Sequence, residues 1–392
     1  MFSKTGAKLR NNLRLHKKNV YFFCAMNISS YLCIGIEPDG FAEGPGADAG
    51  LMNMRLSIVI LNWNGAEMMR KYLPSVVRCS RMEGVEVVVA DNASTDDSLA
   101  MLAKEFPDVR TIVLDQNYGF AGGYNRALQQ VDAECFLLLN SDVEIRQERW
   151  VEPMLNYMDA HPEVAACQPK LLSLRAPEMF EYAGAAGGFL DRYGYPFCRG
   201  RVMNTLERDE GQYDQTVPLL WATGAALMIR AQDYREAGGL DSRFFAHMEE
   251  IDFCWRLRTR GRQVVCIAQS TAYHLGGATL NAGNPRKNFL NFRNNLLMLY
   301  KNLPERELKP VMRVRAFLDF VAAMQFLLKG DVANCKAVFR ARREFRRLVP
   351  DYEAVRRQNL ALQQGDGSVP ERMSFSILWQ YYVKGRRRFS EL

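Results

Sequence analysis

The sequence is poor in the devices that announce many functions. Its nine cysteines are scattered, with no C-x-x-C pair and no grouping of His with Cys. That argues against a zinc site and a disulfide framework, and leaves a reducing compartment as the default. No G-x-G-x-x-G follows the first apolar run and G-x-x-x-x-G-K-[ST] occurs nowhere, which speaks against a dinucleotide-binding enzyme and a P-loop nucleotidase. Charge is not strongly one-sided: the net charge is +7 over 392 residues. Such a balance suits an anionic substrate or an acidic membrane surface and is no nucleic-acid signature. Long apolar runs are scarce too. The uncharged stretch 19–36 carries Asn19, Asn27, Ser29 and Ser30 and is marginal for a spanning helix.

What is present is a chain long enough to bury a large core, with an ordinary 48% hydrophobic and 24% charged residues. Residues 1–53 read differently from the rest. The basic "KLRNNLRLHKK" precedes the uncharged stretch, and the Gly/Pro/acid linker "EPDGFAEGPGADAG" follows. The order of charge then apolar is like that of a signal peptide. The expectation is an extension outside the domain, either disordered or upstream of a true start at Met52 or Met54. The rival is a membrane anchor.

From Arg55 onward, short β-branched runs alternate with helical patterns. Strands are expected at 56–62, 85–91, 109–115 and 134–140, and helices at 66–79, 95–106 and 119–130. Strands that read as continuous apolar runs between helices indicate a mostly parallel sheet covered on both faces. In the second half, 181–200 reads as a Gly- and Tyr-rich loop region, 219–230 as a strand with a Gly break, 238–261 as a loop entering a helix, and 264–268 as a last strand. Parallel sheets bind ligands beyond the carboxyl ends of their strands. Polar residues stand at four such ends in series: Asn62 and Asn64, Asp91 and Asn92, Asp115 and Asn117, Asn140 and Asp142.

Each of these has a plain structural reading beside the functional one. In "ADNASTDDS", Asn92, Ser94 and Thr95 suit a cap on the next helix. In "NYGFAGGYNRAL", glycines either permit a tight turn or let backbone approach a phosphate at a helix start. "LNSDVEI" closes a strand with an Asx turn, or delivers Asp142 to a hard cation. "HMEEIDFCWR" crowds Glu249, Glu250 and Asp252 into a first helical turn. There they complement the macrodipole, or raise one another's pKa so that one serves as a base.

Taken together, "VILNWNG", "VVVADNASTDDS", "NYGFAGGYNRAL", "LLLNSDVEI", "GGLDSRFFAHMEEIDFCWR" and "YHLGG" stand in the order seen in family 2 inverting glycosyltransferases of the GT-A fold. The chain most resembles the rhamnosyltransferase-like branch, over roughly residues 55–280. The resemblance implies a nucleotide-diphospho-sugar transferase fold at 54–285, with a helical, basic region at 286–392. It implies nucleotide-sugar contacts from Asn62, Asn64, Asp91, Asn117, Gly119, Asn125, Asn140 and Trp221, the last either stacked on sugar or in the core. Asn140 stands where the family's D-x-D motif has its first Asp, so Asp142 and His274 are the implied ligands of Mn2+ or Mg2+. The acceptor base falls to Glu250, where the family usually has Asp, with Asp252 second and Glu249 beside them.

Beyond residue 286 the pattern is helical. "FLDFVAAMQFLLKG" (317–330) is apolar with helical spacing, "KAVFRARREFRRL" (336–348) carries six basic residues, and "KGRRRF" lies near the end. This suits either a peripheral contact with an acidic membrane or packed helices with a solvated basic face. The expected function is sugar transfer, rhamnose being one option, from a dTDP- or UDP-linked donor to a saccharide or lipid-linked acceptor in cell-envelope polysaccharide synthesis. It would take place in the cytoplasm or at the inner face of the cytoplasmic membrane, without nucleic acid. The rivals are a nucleotidyltransferase, which would release pyrophosphate, and a non-catalytic sugar-nucleotide-binding protein.

Overall fold

Residues 54–276 and 283–392 are described by the computed structural model. The expectations for residues 1–53 lie outside them. The first half follows the alternation read from sequence: β1 (Leu56–Asn62), α1 (Ala66–Cys79), β2 (Val85–Asp91), α2 (Ser98–Glu105), β3 (Arg110–Val113), α3 (Gly119–Leu128) and β4 (Cys135–Leu139). Next come the short β5 (Val143–Glu144), α4 (Glu152–Ala160) and the ten-residue β6 (Val164–Ser173). Neither α4 nor β6 is expected from sequence. Pro169 lies inside β6, and an internal proline argues against a strand when read without context.

Four very short strands, β7 (Gly188–Leu190), β8 (Pro196–Cys198), β9 (Arg201–Val202) and β10 (Thr205–Leu206), form a separate antiparallel sheet within and just beyond the 181–200 region. Only Ala226–Arg230 of the 219–230 run is a strand, β11, and α5 (Ala231–Glu236) follows it. A 3-10 turn at Ser242–Phe244 leads to α6 (Glu249–Thr259) and to β12 (Gln263–His274). That last strand runs well past residue 268, with a register shift between Ile267 and Thr271. His274 therefore ends the strand and is held by its ladder. Helices α7 (Pro285–Asn302), α8 (Glu305–Leu328), α9 (Val332–Ala361) and α10 (Ile377–Tyr382) complete the described chain.

The main sheet has the order β3-β2-β1-β4-β11-β6-β12-β5. Its pairs β2–β3, β1–β2, β1–β4 and β6–β12 are parallel, while β11 runs antiparallel to β4 and β6, and β5 antiparallel to β12. Side chains alternate across it. Leu56, Ile58, Ile60, Leu137 and Leu139 pack on Met69, Leu73 and Val76 of α1 and Met154 of α4. Val59, Val88, Phe136 and Leu138 face Ala121, Tyr124 and Ala127 of α3, in a second core with Phe253 and Trp255 of α6. Both faces are covered over the inner strands β1 and β4, which are buried along almost their whole length, while the edge strand β3 is largely exposed.

Candidate active site

At the carboxyl end of β1, Asn62 is fully buried and donates from Nδ2 to Asp91 Oδ2 (3.0 Å) and Ser94 Oγ (3.2 Å). The parallel register sets Asn62 opposite Asp91. Asp91, also fully buried, accepts from the Ser94 amide with its other oxygen (2.9 Å). Ser94 Oγ also takes the amide of Asn64 (2.9 Å), whose own Oδ1 accepts from the Thr95 amide (2.7 Å). These bonds tie two strand ends together. They do not cap α2 as the sequence suggests, since the side chain accepting from the Ser98 amide is that of Asp96 (3.1 Å). Asn62 Oδ1 is buried without a partner and faces Gly65, at the start of α1.

A second clamp holds the glycine-rich turn. Asn92 donates to Asn117 Oδ1 (3.1 Å) and the Gly119 carbonyl (3.1 Å), and accepts from the Tyr118 amide (3.0 Å). Asn117 Oδ1 also takes the Gly119 amide (2.8 Å). Gly119 has φ +71°, and a Cβ there would lie 2.5 Å from the Phe245 ring. Only glycine fits both the conformation and the space. Arg126 is stacked 3.5 Å over the Tyr118 ring. Asn125 is spent on packing: it donates to the Leu240 carbonyl (2.7 Å) and accepts from the Leu240 amide (3.0 Å) and the Tyr234 hydroxyl (2.6 Å). Trp221 is buried beneath Gly188 and donates to the Phe189 carbonyl (3.0 Å). It is a core residue of the small sheet, so its face offers a sugar nothing.

The Asn140–Asp142 turn meets β12 at its end. His274 Nε2 lies 3.1 Å from Asp142 Oδ1 and 3.3 Å from Asn140 Nδ2, and its Nδ1 lies 3.3 Å from Glu181 Oε1. The histidine, Asp142 and Glu181 are all buried. Burial alone would lower the imidazole pKa, but the flanking carboxylates outweigh it and push it up to about 10. Glu181 is the member that sequence reasoning missed. It sits in a Tyr/Gly-rich stretch with no ligand-like spacing, and only the fold brings it to His274.

Two ligands at right angles around an ion, each about 2.1 Å from it, are about 3 Å apart. The observed Asp142–His274 separation matches. A carboxylate on the far nitrogen of a ligating imidazole is the usual outer partner. The same 3.1 Å is also a hydrogen bond, and a pKa of about 10 leaves a proton on the imidazole, so the pair fits a divalent ion only when binding expels that proton. Among the described residues there is no group of three His, Cys, Asp or Glu placed to hold one, so the remaining ligands would come from substrate or solvent.

Across a loop stands the acidic turn. The amide of Asn140 donates to the Ala225 carbonyl (3.0 Å), and a Cβ on the preceding Gly224 would lie 3.7 Å from Glu250 Cβ. One two-residue segment thus separates the Asn140–Asp142 turn from Glu250. Burial raises the Glu250 carboxyl pKa to about 7, and burial together with Glu250 pushes Glu249 well up. Each has a buried Oε2 without a partner. Asp252 behaves oppositely. Despite full burial its pKa is lowered, because Lys301 (2.7 Å), Arg256 (3.1 Å) and Asn302 (2.8 Å) surround it. It anchors α6 to α7, and its lone pairs are committed.

Phe245, His247 and Met248, which lead into α6, all have φ between +65° and +73°. Asn294 of α7 holds that loop by donating to the carbonyls of Phe244 (2.9 Å), Ala246 (2.9 Å) and His247 (2.8 Å). His247 is pushed down to about 4 by burial and by Lys287, and its Nε2 is buried without a partner.

Known proteins resemble the chain in the region that builds this site. Residues 57–173 match the family described as Glycosyl transferase family 2. Residues 57–173, from β1 to β6, thus resemble a family 2 glycosyl transferase domain. The chain is 27% identical over 231 residues to the O-antigen biosynthesis protein RfbC of Myxococcus xanthus, covering 58% of this chain and 18% of that one. It is 25% identical over 241 residues to an N-acetylglucosaminyl-diphospho-decaprenol L-rhamnosyltransferase of Mycobacterium tuberculosis, covering 56% and 75%. Among solved structures, GalNAc-T7 with UDP, GalNAc and Mn2+ superposes with a TM-score of 0.51 at 15% identity, over 64% of this chain and 49% of that one. That likeness shows the GT-A fold alone. The chain thus spans about a fifth of the first relative and half of this neighbour.

Proposed function

We propose that this glycosyl transferase domain moves a sugar, rhamnose being the first candidate, from a dTDP- or UDP-linked donor to a saccharide or lipid-linked acceptor in cell-envelope polysaccharide synthesis, with inversion at the anomeric carbon. What carries the reading is the placement of a raised-pKa carboxylate, Glu250, beside the loop that also backs Asn140–Asp142 and, through it, His274. The names of the relatives point the same way: one is an O-antigen biosynthesis protein and another a rhamnosyltransferase acting on a lipid-linked sugar.

Residues 54–285 would be the transferase domain, with 286–392 as a helical region packed on it. Base and ribose would lie on the Asn62–Asp91 end, with Asn64, Asn117 and the Gly119 backbone alongside. A divalent ion, Mn2+ fitting the imidazole better than Mg2+, would be held by Asp142 and His274 and would supply charge neutralisation for the departing diphosphate. Asn140 offers the same region a polar amide. Glu250 takes the proton from the acceptor hydroxyl as its oxygen attacks C1 from the face opposite the leaving group. With a pKa near 7 the carboxylate is ionised in an adequate fraction at neutral pH and still basic enough to accept the proton. Glu249 sits in the first turn of the same helix, and burial and the charge of Glu250 push its own pKa well up.

Three measurements test this. Wild-type protein incubated with dTDP- or UDP-sugars and Mn2+ should release the nucleoside diphosphate; release of pyrophosphate would indicate nucleotidyl transfer instead. Asp142→Ala should abolish turnover. Glu250→Gln should abolish it while thermal shift still registers donor. Donor binding without transfer or hydrolysis by the wild type would identify a non-catalytic sugar-nucleotide-binding protein.

A further inference from the structure

Helix α8 is built inside out. Its buried side presents Arg315 and Asp319, both essentially inaccessible, between Val311 and Ala323. Arg315 bonds Asp319 Oδ1 (3.2 Å) and the Tyr193 carbonyl (2.9 Å), and Arg342 of α9 also reaches Asp319. The outer side is apolar. Phe317 is 66% exposed, Phe320 51% and Leu328 88%, with Val321 and Leu327 close to half. At 100° per residue, positions 317, 320, 321, 324, 327 and 328 fall on one stripe, opposite 311, 315, 319 and 323. The same stripe continues toward the helix start through the exposed cations Lys309 and Arg313. A soluble helix that hides an ion pair and shows its phenylalanines has a partner for that face.

The neighbouring chemistry says which. Residues 305–348 hold eleven Lys and Arg against five Asp and Glu. Helix α10 presents Trp379 and Tyr382, and Val383 follows it, all more than half exposed, ahead of Lys384, Arg386, Arg387 and Arg388. Both helices are fixed to one turn: Arg315 bonds the Tyr193 carbonyl, and the Ile377 amide donates to Asp191 (2.9 Å). Aliphatic and Phe side chains on a stripe, Trp and Tyr nearby and a surplus of cations are what an interface of anionic lipid recognises. None of the described helices is long and apolar enough to cross a membrane, so the contact is with a face laid on the surface.

We propose that the outer stripe of α8, with α10 beside it, docks on an anionic phospholipid surface. This deepens the lipid-linked acceptor reading and rests on it for its biological purpose, though the docking itself needs no turnover. The test uses the full chain with vesicles of phosphatidylcholine alone or with phosphatidylglycerol, read by co-sedimentation. The wild type is expected to bind the anionic vesicles at least tenfold more tightly than the neutral ones. Phe317→Ser/Phe320→Ser/Leu328→Ser, and separately Lys309→Glu/Arg313→Glu, should each weaken binding at least tenfold. These side chains are exposed, so the melting temperature and donor hydrolysis in solution should be unchanged. Equal binding by wild type and triple variant would overturn the proposal. So would absence of binding, or a dimer in sedimentation velocity that the triple variant dissolves, which would assign the stripe to a second copy. Lost donor hydrolysis in the wild type would instead strike the transferase reading and leave the docking result standing.

Discussion

At the scale of single residues, two acids three positions or fewer apart have opposite fates. Glu250 is raised to about 7 by burial, while Asp252 is lowered by Lys301 and Arg256. The transferase reading therefore predicts an acid limb in kcat/KM falling below about pH 7, as Glu250 takes up the proton it must lack. The limb should vanish with the residual activity of Glu250→Gln. Stability carries the same signature with its own sign. A carboxyl whose folded pKa exceeds its unfolded one near 4.5 contributes stability that is full below that value and lost as pH rises through 7. Glu250→Gln should therefore raise the unfolding free energy at pH 8 by up to about 3 kcal/mol and change little at pH 4. Urea titrations at the two values check it, and equal effects at both would remove the buried-carboxylate argument.

At the scale of elements, the site depends on turns held by side chains from elsewhere. Gly119→Ala would place a methyl against the Phe245 ring at φ +71°. A loss of about 1–3 kcal/mol is expected, with weaker donor binding, because neither the turn nor the ring can yield freely. Asn294 is the C-terminal region's hold on the loop that delivers Glu249 and Glu250. Asn294→Ala should lower kcat about tenfold or more while the donor KM moves little, since the donor clamps at Asn62 and Asn92 are untouched. Asn294→Asp, of the same shape but lacking the donor, should do no better than alanine; wild-type kcat in Asn294→Asp would show that the three carbonyl bonds do not matter.

At the scale of the whole molecule, residues Met52–Leu392 form one compact unit. Lys301 and Asn302 of α7 meet Asp252 in its interior, and Tyr352 of α9 reaches Asp241, which also binds Lys301 (2.7 Å). Breaking one partner of such a buried network strands a charge. Lys301→Met is expected to cost about 3–5 kcal/mol, read as a fall in the urea midpoint. By the same reasoning a chain ending at residue 285 should not reach the fold of the intact protein by circular dichroism. A stable, donor-binding fragment would show that the helices only decorate it.

The sequence by itself determined the layered sheet and the polar edge at its strand ends. Continuous apolar runs require burial on both faces, so β1, α1 and β2 follow their expected spans, and polar residues had to gather at the strand ends. Through the resemblance that their motifs carry it also singled out Asp142, His274 and Glu250 as candidates, and the fold brings Asp142 within 3.1 Å of His274. Tertiary structure decided what each polar group is free to do. Asn125, Asp252 and Trp221 look like ligand contacts in one dimension, yet Leu240, Lys301 and Gly188, all at least 33 residues distant, occupy them. Glu181 has no local signal and becomes a partner of His274 only when β12 is laid beside β6. The inverted face of α8 is invisible to composition for the same physical reason. Period 3.6 shows that a helix has two faces, but which of them meets the protein depends on the ion pairs waiting across the fold.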